Sequence, residues 1–296
     1  MTTAGALFRL ARPLGTALLL LVVLFGYGFA HWDGGLDLVR PGAIAGVLVA
    51  WALLSAGTLW LNAVLDGDEG GALFAREGVG RPRHLAAFAH GALGAAVLVA
   101  LASDVRAGLA CAACAVLSEL YSGRRTRWKA HPILGPAVNA VGYGLLTPLA
   151  GWAVVGTPMT LRAAGAFGFA AVFVLGATFA AQASQQNDDA RRGYRTLVVT
   201  HGPAACLRAT RACTLVGVAA LTALSALAVY PRTLLFGVWV FAFADRALVR
   251  WAKEPDGGTS RDAARFLLRM LIGGLLMVAL AWVDFLWPGV GRRVFG

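Results

Sequence analysis

The chain has 296 residues, 58% of them hydrophobic and only 14% charged, with a formal net charge of +11. A soluble domain of this length would carry nearly twice that charged fraction, so the composition excludes an ordinary water-soluble globular protein. The basic excess is spread over the connections between apolar runs, which argues for a membrane protein and against nucleic acid as its partner.

Nine apolar runs near the length needed to cross a bilayer follow one another: 14–30, 43–65, 85–102, 107–121, 133–155, 163–182, 212–230, 233–248 and 266–287. None alternates in polarity as barrel strands do, so the backbone must satisfy itself as helices. The expected fold is therefore all-α and integral to the membrane, with nine transmembrane helices in one domain spanning 1–296. The first run is long and lacks an A-x-A cleavage site, and it reads as the first span and not as a removable leader.

The N-terminus and the even-to-odd connections hold 20 of the 26 Lys and Arg residues; the opposite side holds six. The positive-inside rule then places the N-terminus in the cytoplasm and the C-terminus outside, in a multi-pass inner-membrane protein. Polar connections are long on the cytoplasmic face and mostly short on the other, so chemistry has room on the cytoplasmic face. Cys111 and Cys114 form a "CAAC" inside the fourth run, with no second pair or nearby histidine. They read as small apolar residues.

Three cytoplasmic connections carry the polar residues: "LNAVLDGDEGG" after the second run, "YSGRRTRWKAHP" after the fourth and "SQQNDDARRGYR" after the sixth. Asn62 and Asp66 are four residues apart, as are Gln185 and Asp189, which puts each pair on one helical face. The recurrence four spans apart suggests a duplicated four-helix unit with a ninth helix appended, and a site at the interface of the repeats. If both tips face inward, the mouth gathers Asp66, Asp68, Glu69, Asp188 and Asp189 with Arg124, Arg125, Arg127, Lys129, Arg191, Arg192 and Arg195. A hard divalent cation takes one or two carboxylates plus phosphate oxygens, and arginines neutralise the charge left over. The apolar spans beneath could hold a hydrocarbon tail. A lipid diphosphate meets all three conditions. Glu119, near the end of the fourth run, is expected to pair with a nearby arginine.

These residues resemble the UbiA superfamily of intramembrane prenyltransferases. "NAVLDGDEG" from Asn62 is similar to that family's N-D-x-x-D-x-x-x-D motif, "QQNDDARRGYRTL" from Gln185 to its D-x-x-x-D motif, and "YSGRRTRWK" from Tyr121 to its Y-S-x-P-P-x-R-x-K element. "VNAVGYG" around Asn139 also sits where the family has such a string. The departures are Ala63 and Gly70 in the first motif, Gln185 in the second, and Arg124 and Arg125 in place of the prolines.

The resemblance implies Mg2+-dependent ionisation of an allylic diphosphate and transfer of the isoprenyl group to a hydrophobic acceptor. Asp66, Asp189, Arg127 and Lys129 would be catalytic, and Asp66, Asp68, Asp188 and Asp189 would hold metal. Asn62, Tyr121, Arg124, Arg125, Asn139, Gln185, Arg192 and Arg195 would bind substrate. No obligatory protein partner is indicated. A transporter, or a relative that binds lipid without catalysis, is the competing reading; a transporter more often carries its ionisable residues at mid-membrane.

Overall fold

The computed structural model describes residues 2–31, 38–66, 82–254 and 258–287, and of Asp66 only its place as the last residue of a helix. Asp68, Glu69 and Gly70 lie outside the described residues.

A short helix, α1 (Thr3–Leu10), precedes α2 (Pro13–Ala30), α3 (Pro41–Asp66), α4 (Leu85–Ser103) and α5 (Val105–Ser122). A 3-10 turn at Trp128–Ala130 leads into α6 (Leu134–Asn139), which continues through a π-helical segment, Ala140–Leu146, into α7 (Thr147–Val155). Then come α8 (Leu161–Ala183), the short α9 (Gln186–Arg191) and α10 (Leu197–His201), and α11 (Pro203–Ala226). A second 3-10 stretch, Arg232–Gly237, precedes α12 (Val238–Trp251), and α13 (Ser260–Leu286) closes the described chain. Eight of these segments are long and apolar enough to cross a membrane, with α6, the π segment and α7 counting as one.

The expected runs are thereby corrected in three places. The eighth, 233–248, is divided between the 3-10 stretch and α12, whose 14 residues reach only about 21 Å. The seventh begins at Pro203 and not at 212, because Arg208 and Arg211 sit three apart on an exposed face of α11 and interrupt the hydropathy without interrupting the helix. Arg211 pairs with Asp245 of α12 through Nε at 2.9 Å. The ninth begins at Ser260, where Thr259 and Asp262 form a capping box.

Small residues let the spans approach. A Cβ built on Gly26 would lie 1.8 Å from the Pro148 carbonyl oxygen, and one on Gly151 would lie 2.0 Å from that of Val23, so α2 and α7 touch backbone to backbone. At the end of the bundle where α4 and α7 finish, Arg40 donates to Asp104 at 2.7 Å, to the Ser103 carbonyl at 2.9 Å and to that of Val154 at 3.2 Å. Arg106 donates to the Ala153 carbonyl at 2.6 Å. Two arginines thus satisfy the carbonyls that helix ends leave unpaired.

Glu119 is a further correction: among the described residues its partner is His90 of α4 at 3.0 Å, one helix away, and not an arginine. The histidine reaches it because α4 and α5 run antiparallel through the tight turn at Asp104.

Candidate active site at the tips of α3, α5 and α8

Hydroxyls and amides knit α3 to α5. Thr58 and Ser118 share a hydrogen bond of 2.8 Å, and Ser122 donates to the Asn62 side-chain oxygen one turn nearer the tip. The four-residue spacing is the same on both helices, so the pairs lie on facing stripes. Beside Ser122, Tyr121 is hydrogen-bonded to Asn139, the last residue of α6. Just beyond, the helix loosens into its π segment. Pro148 has no N–H to offer the Gly144 carbonyl, and Thr147 turns its hydroxyl onto the Gly142 carbonyl at 2.8 Å.

These elements surround a cleft enclosing about 480 Å³, part of it open to the outside. Asn62, Tyr121 and Asn139 line one end; Leu19, Leu54 and Thr147 line the other.

The second half of the site comes from the break after α8. That helix stops at Ala183, Gln185 opens α9, and the Asp189 amide donates to the Gln185 carbonyl at 2.9 Å. The four-residue spacing expected from the sequence is therefore kept, but in a separate six-residue helix and not as the continuation of a span. The two recurring devices differ accordingly, since α3 runs unbroken through Asn62 to Asp66.

Asp189 is only 6% exposed and accepts from the Thr196 hydroxyl at 2.8 Å. Gly193, at φ +70°, lets the chain reverse so that the Tyr194 amide reaches the Asp189 carbonyl at 2.9 Å. The Arg195 amide then donates to the Ala130 carbonyl at 2.9 Å, which fastens this turn to the 3-10 turn after α5. That bond carries Lys129 into the site. The residue is 9% exposed and its ammonium lies 5.9 Å from the centre of the Tyr194 ring. Burial, together with the neighbouring Arg192, pulls the Lys129 ammonium down to about 8, against the opposing pull of Asp189. Asp189 is also within electrostatic reach of Tyr121, so the two halves meet there.

Of the expected residues, Asn62, Tyr121 and Asn139 share the cleft, and Asp189, Lys129 and Arg192 stand together beside Tyr121. Arg124, Arg125, Arg127 and Arg195 are exposed on the rim, and Gln185 is half-buried. Asp188, expected among the metal ligands, is ion-paired with Arg191. Among the described residues no three His, Cys, Asp or Glu side chains converge on one point. Asp189 offers a carboxylate, and Asn62 and Gln185 offer amide oxygens; these are hard oxygens of the kind suited to Mg2+.

Sequence reasoning gave no role to Ser122, Thr196 and Tyr143. Gln182, three residues before Gln185, has a buried side-chain oxygen with no hydrogen-bond partner among the described residues.

A bundle of eight helices long and apolar enough to cross a membrane, with a polar mouth over an apolar cleft, defines a multi-pass membrane protein. Residues 19–273 match the model of the UbiA prenyltransferase family, and the chain belongs to that family. A UbiA homologue from Archaeoglobus fulgidus bound to DMAPP and Mg2+ has a similar structure: TM-score 0.74 at 18% identity, covering 94% of this chain and 98% of that one. The homologue bound to GPP and Mg2+ gives 0.69 at 17% identity, covering 95% and 99%. A structure described for digeranylgeranylglyceryl phosphate synthase gives 0.65 at 16%, covering 97% and 99%. At these identities the likeness concerns the fold. No curated protein sequence matches the chain.

Proposed function

We propose that this protein is a membrane prenyltransferase that transfers an isoprenyl group from its diphosphate to a hydrophobic acceptor, with Mg2+, at the cytoplasmic face. One observation carries this reading: a buried carboxylate and a buried ammonium, Asp189 and Lys129, stand beside Tyr121 at the mouth of an apolar cleft. Family membership and the isoprenyl diphosphates and Mg2+ bound by the A. fulgidus homologue support it.

Asp189 and Asp66 would hold the metal, with Asp68, Asp188 and the Asn62 amide near them. Mg2+, when bound, supplies positive charge that helps the diphosphate depart. Lys129, Arg127 and Arg192 would take up the negative charge that grows on the diphosphate oxygens as the allylic carbon–oxygen bond breaks. Arg124, Arg125 and Arg195 would draw the anion to the rim. Tyr121 and Tyr143 line the cleft where the allylic cation would form, and aromatic rings attract cations at their faces. A carbon or oxygen nucleophile of the acceptor then captures the cation, and the acceptor's proton leaves.

The test is release of inorganic diphosphate by purified protein in lipid bilayers, supplied with geranyl diphosphate, a mixture of hydrophobic acceptors and Mg2+. Mg2+-dependent release with a prenylated product supports the reading; a protein that leaves every isoprenyl diphosphate intact contradicts it.

The pH dependence follows from Lys129. Its charge is present below about 8 and lost above, so kcat/KM is expected to fall as pH rises through that value. Lys129→Arg, which keeps its charge, should flatten that alkaline limb even where it lowers the plateau.

Gln185 places a neutral amide where the family has an acid. Gln185→Asp is expected to tighten Mg2+ binding in the absence of substrate by about an order of magnitude, since ligand charge sets affinity for hard cations. Isothermal titration with Mg2+ alone measures it.

A further inference from the structure

From the cleft's dimensions and floor, and resting on the prenyl-transfer reading above, we infer that this protein selects short donors, and that Trp51 and Thr147 set the limit near ten carbons. The serine and threonine hydroxyls along the wall are bonded to neighbouring groups. Thr58 pairs with Ser118, Asn62 with Ser122, Ser55 with Thr16 at 2.8 Å, and Thr147 with Trp51 and Gly142. A wall whose polar atoms bond to one another offers its occupant methyl and methylene surface, which suits a hydrocarbon and not a hydroxylated acceptor.

Depth follows from the helices. Leu54 lies eight residues below Asn62 on the unbroken α3, so the cleft reaches about 12 Å below its mouth at 1.5 Å per residue. An extended five-carbon unit spans roughly 5 Å, taking four carbon–carbon bonds of ~1.5 Å each. Two units fit, and a third or fourth would have to pass the floor.

The floor is closed. The Trp51 indole, fully buried, donates to the Thr147 hydroxyl at 3.1 Å and bridges α3 to α7. Behind it, the contacts of Gly26 with Pro148 and of Gly151 with Val23 leave no space between α2 and α7.

The experiment compares diphosphate release from donors of five, ten, fifteen and twenty carbons by wild type, Trp51→Ala and Cys114→Phe in lipid bilayers. Wild type is expected to favour the ten-carbon donor over the five- and twenty-carbon donors by about tenfold or more in kcat/KM, the scale that added or missing apolar groups command. Trp51→Ala should move the optimum to fifteen carbons. Cys114 lines the cleft seven residues below Tyr121, so Cys114→Phe should plug it, costing the ten-carbon donor about tenfold while sparing the five-carbon donor. Cys114→Phe keeps the test open should the loss of the indole unfold the bundle.

Equal use of ten-, fifteen- and twenty-carbon donors overturns the length limit and leaves prenyl transfer standing. A length profile unmoved by both substitutions overturns the assignment of the floor. Intact diphosphate with every donor overturns this inference and the proposed function together.

Discussion

Asp189→Asn is expected to lower kcat/KM for diphosphate release by about 10²–10³, the loss that follows removal of one group aimed at developing charge. The substitution keeps the shape and the Thr196 hydrogen bond, and it removes only the negative charge. Two effects then act in the same direction. A bound Mg2+ would lose the described carboxylate that stands beside the cleft, and Lys129 would lose the neighbour that holds its ammonium up against burial and Arg192. The alkaline limb of the pH profile should therefore move to lower pH in the variant. Thermal unfolding in detergent separates this from a folding defect: a neutral amide in place of a buried charge should leave the transition in place.

The second large effect is on the bundle itself. Gly26→Leu is expected to destabilise the protein by about 3 kcal/mol or more, at or beyond the top of the range for overpacking. The atom in the way is the Pro148 carbonyl oxygen, 1.8 Å from where the Cβ would sit, and backbone cannot swing aside as a side chain can. Gly151→Ala should behave similarly against the Val23 carbonyl, whereas Gly94→Ala, with nothing within 4 Å, should be neutral or slightly stabilising through helix propensity. Thermal transitions of the three variants in one detergent give the comparison.

Most of the spans could be read from hydropathy because a bilayer demands a continuous apolar run wherever a helix crosses it. The reading failed where a helix carries its charge outside that rule. Arg208 and Arg211 lie on an exposed stripe of α11 and hid its first turns, and the 3-10 stretch before α12 disguised a 14-residue helix as a longer one.

The candidate site was legible as a set of residue types at helical spacing. Its assembly was not. Lys129 reaches Asp189 because a backbone bond joins Arg195 to Ala130, two segments 65 positions apart, and nothing in either segment's composition announces that bond. The facing hydroxyls of α3 and α5 were equally silent, since serine and threonine are ordinary residues in helices that pack closely. Asp188 is paired with its own neighbour Arg191.

The most direct test of the central claim is binding of geranyl thiolodiphosphate, which resists ionisation, with and without Mg2+, to wild type, Asp66→Asn and Asp189→Asn. If the tips of α3 and α9 jointly hold a metal–diphosphate, wild-type affinity should depend on Mg2+ and each substitution should weaken it by at least about tenfold, worth 1.4 kcal/mol. Affinity indifferent to Mg2+ and to both substitutions would contradict the claim.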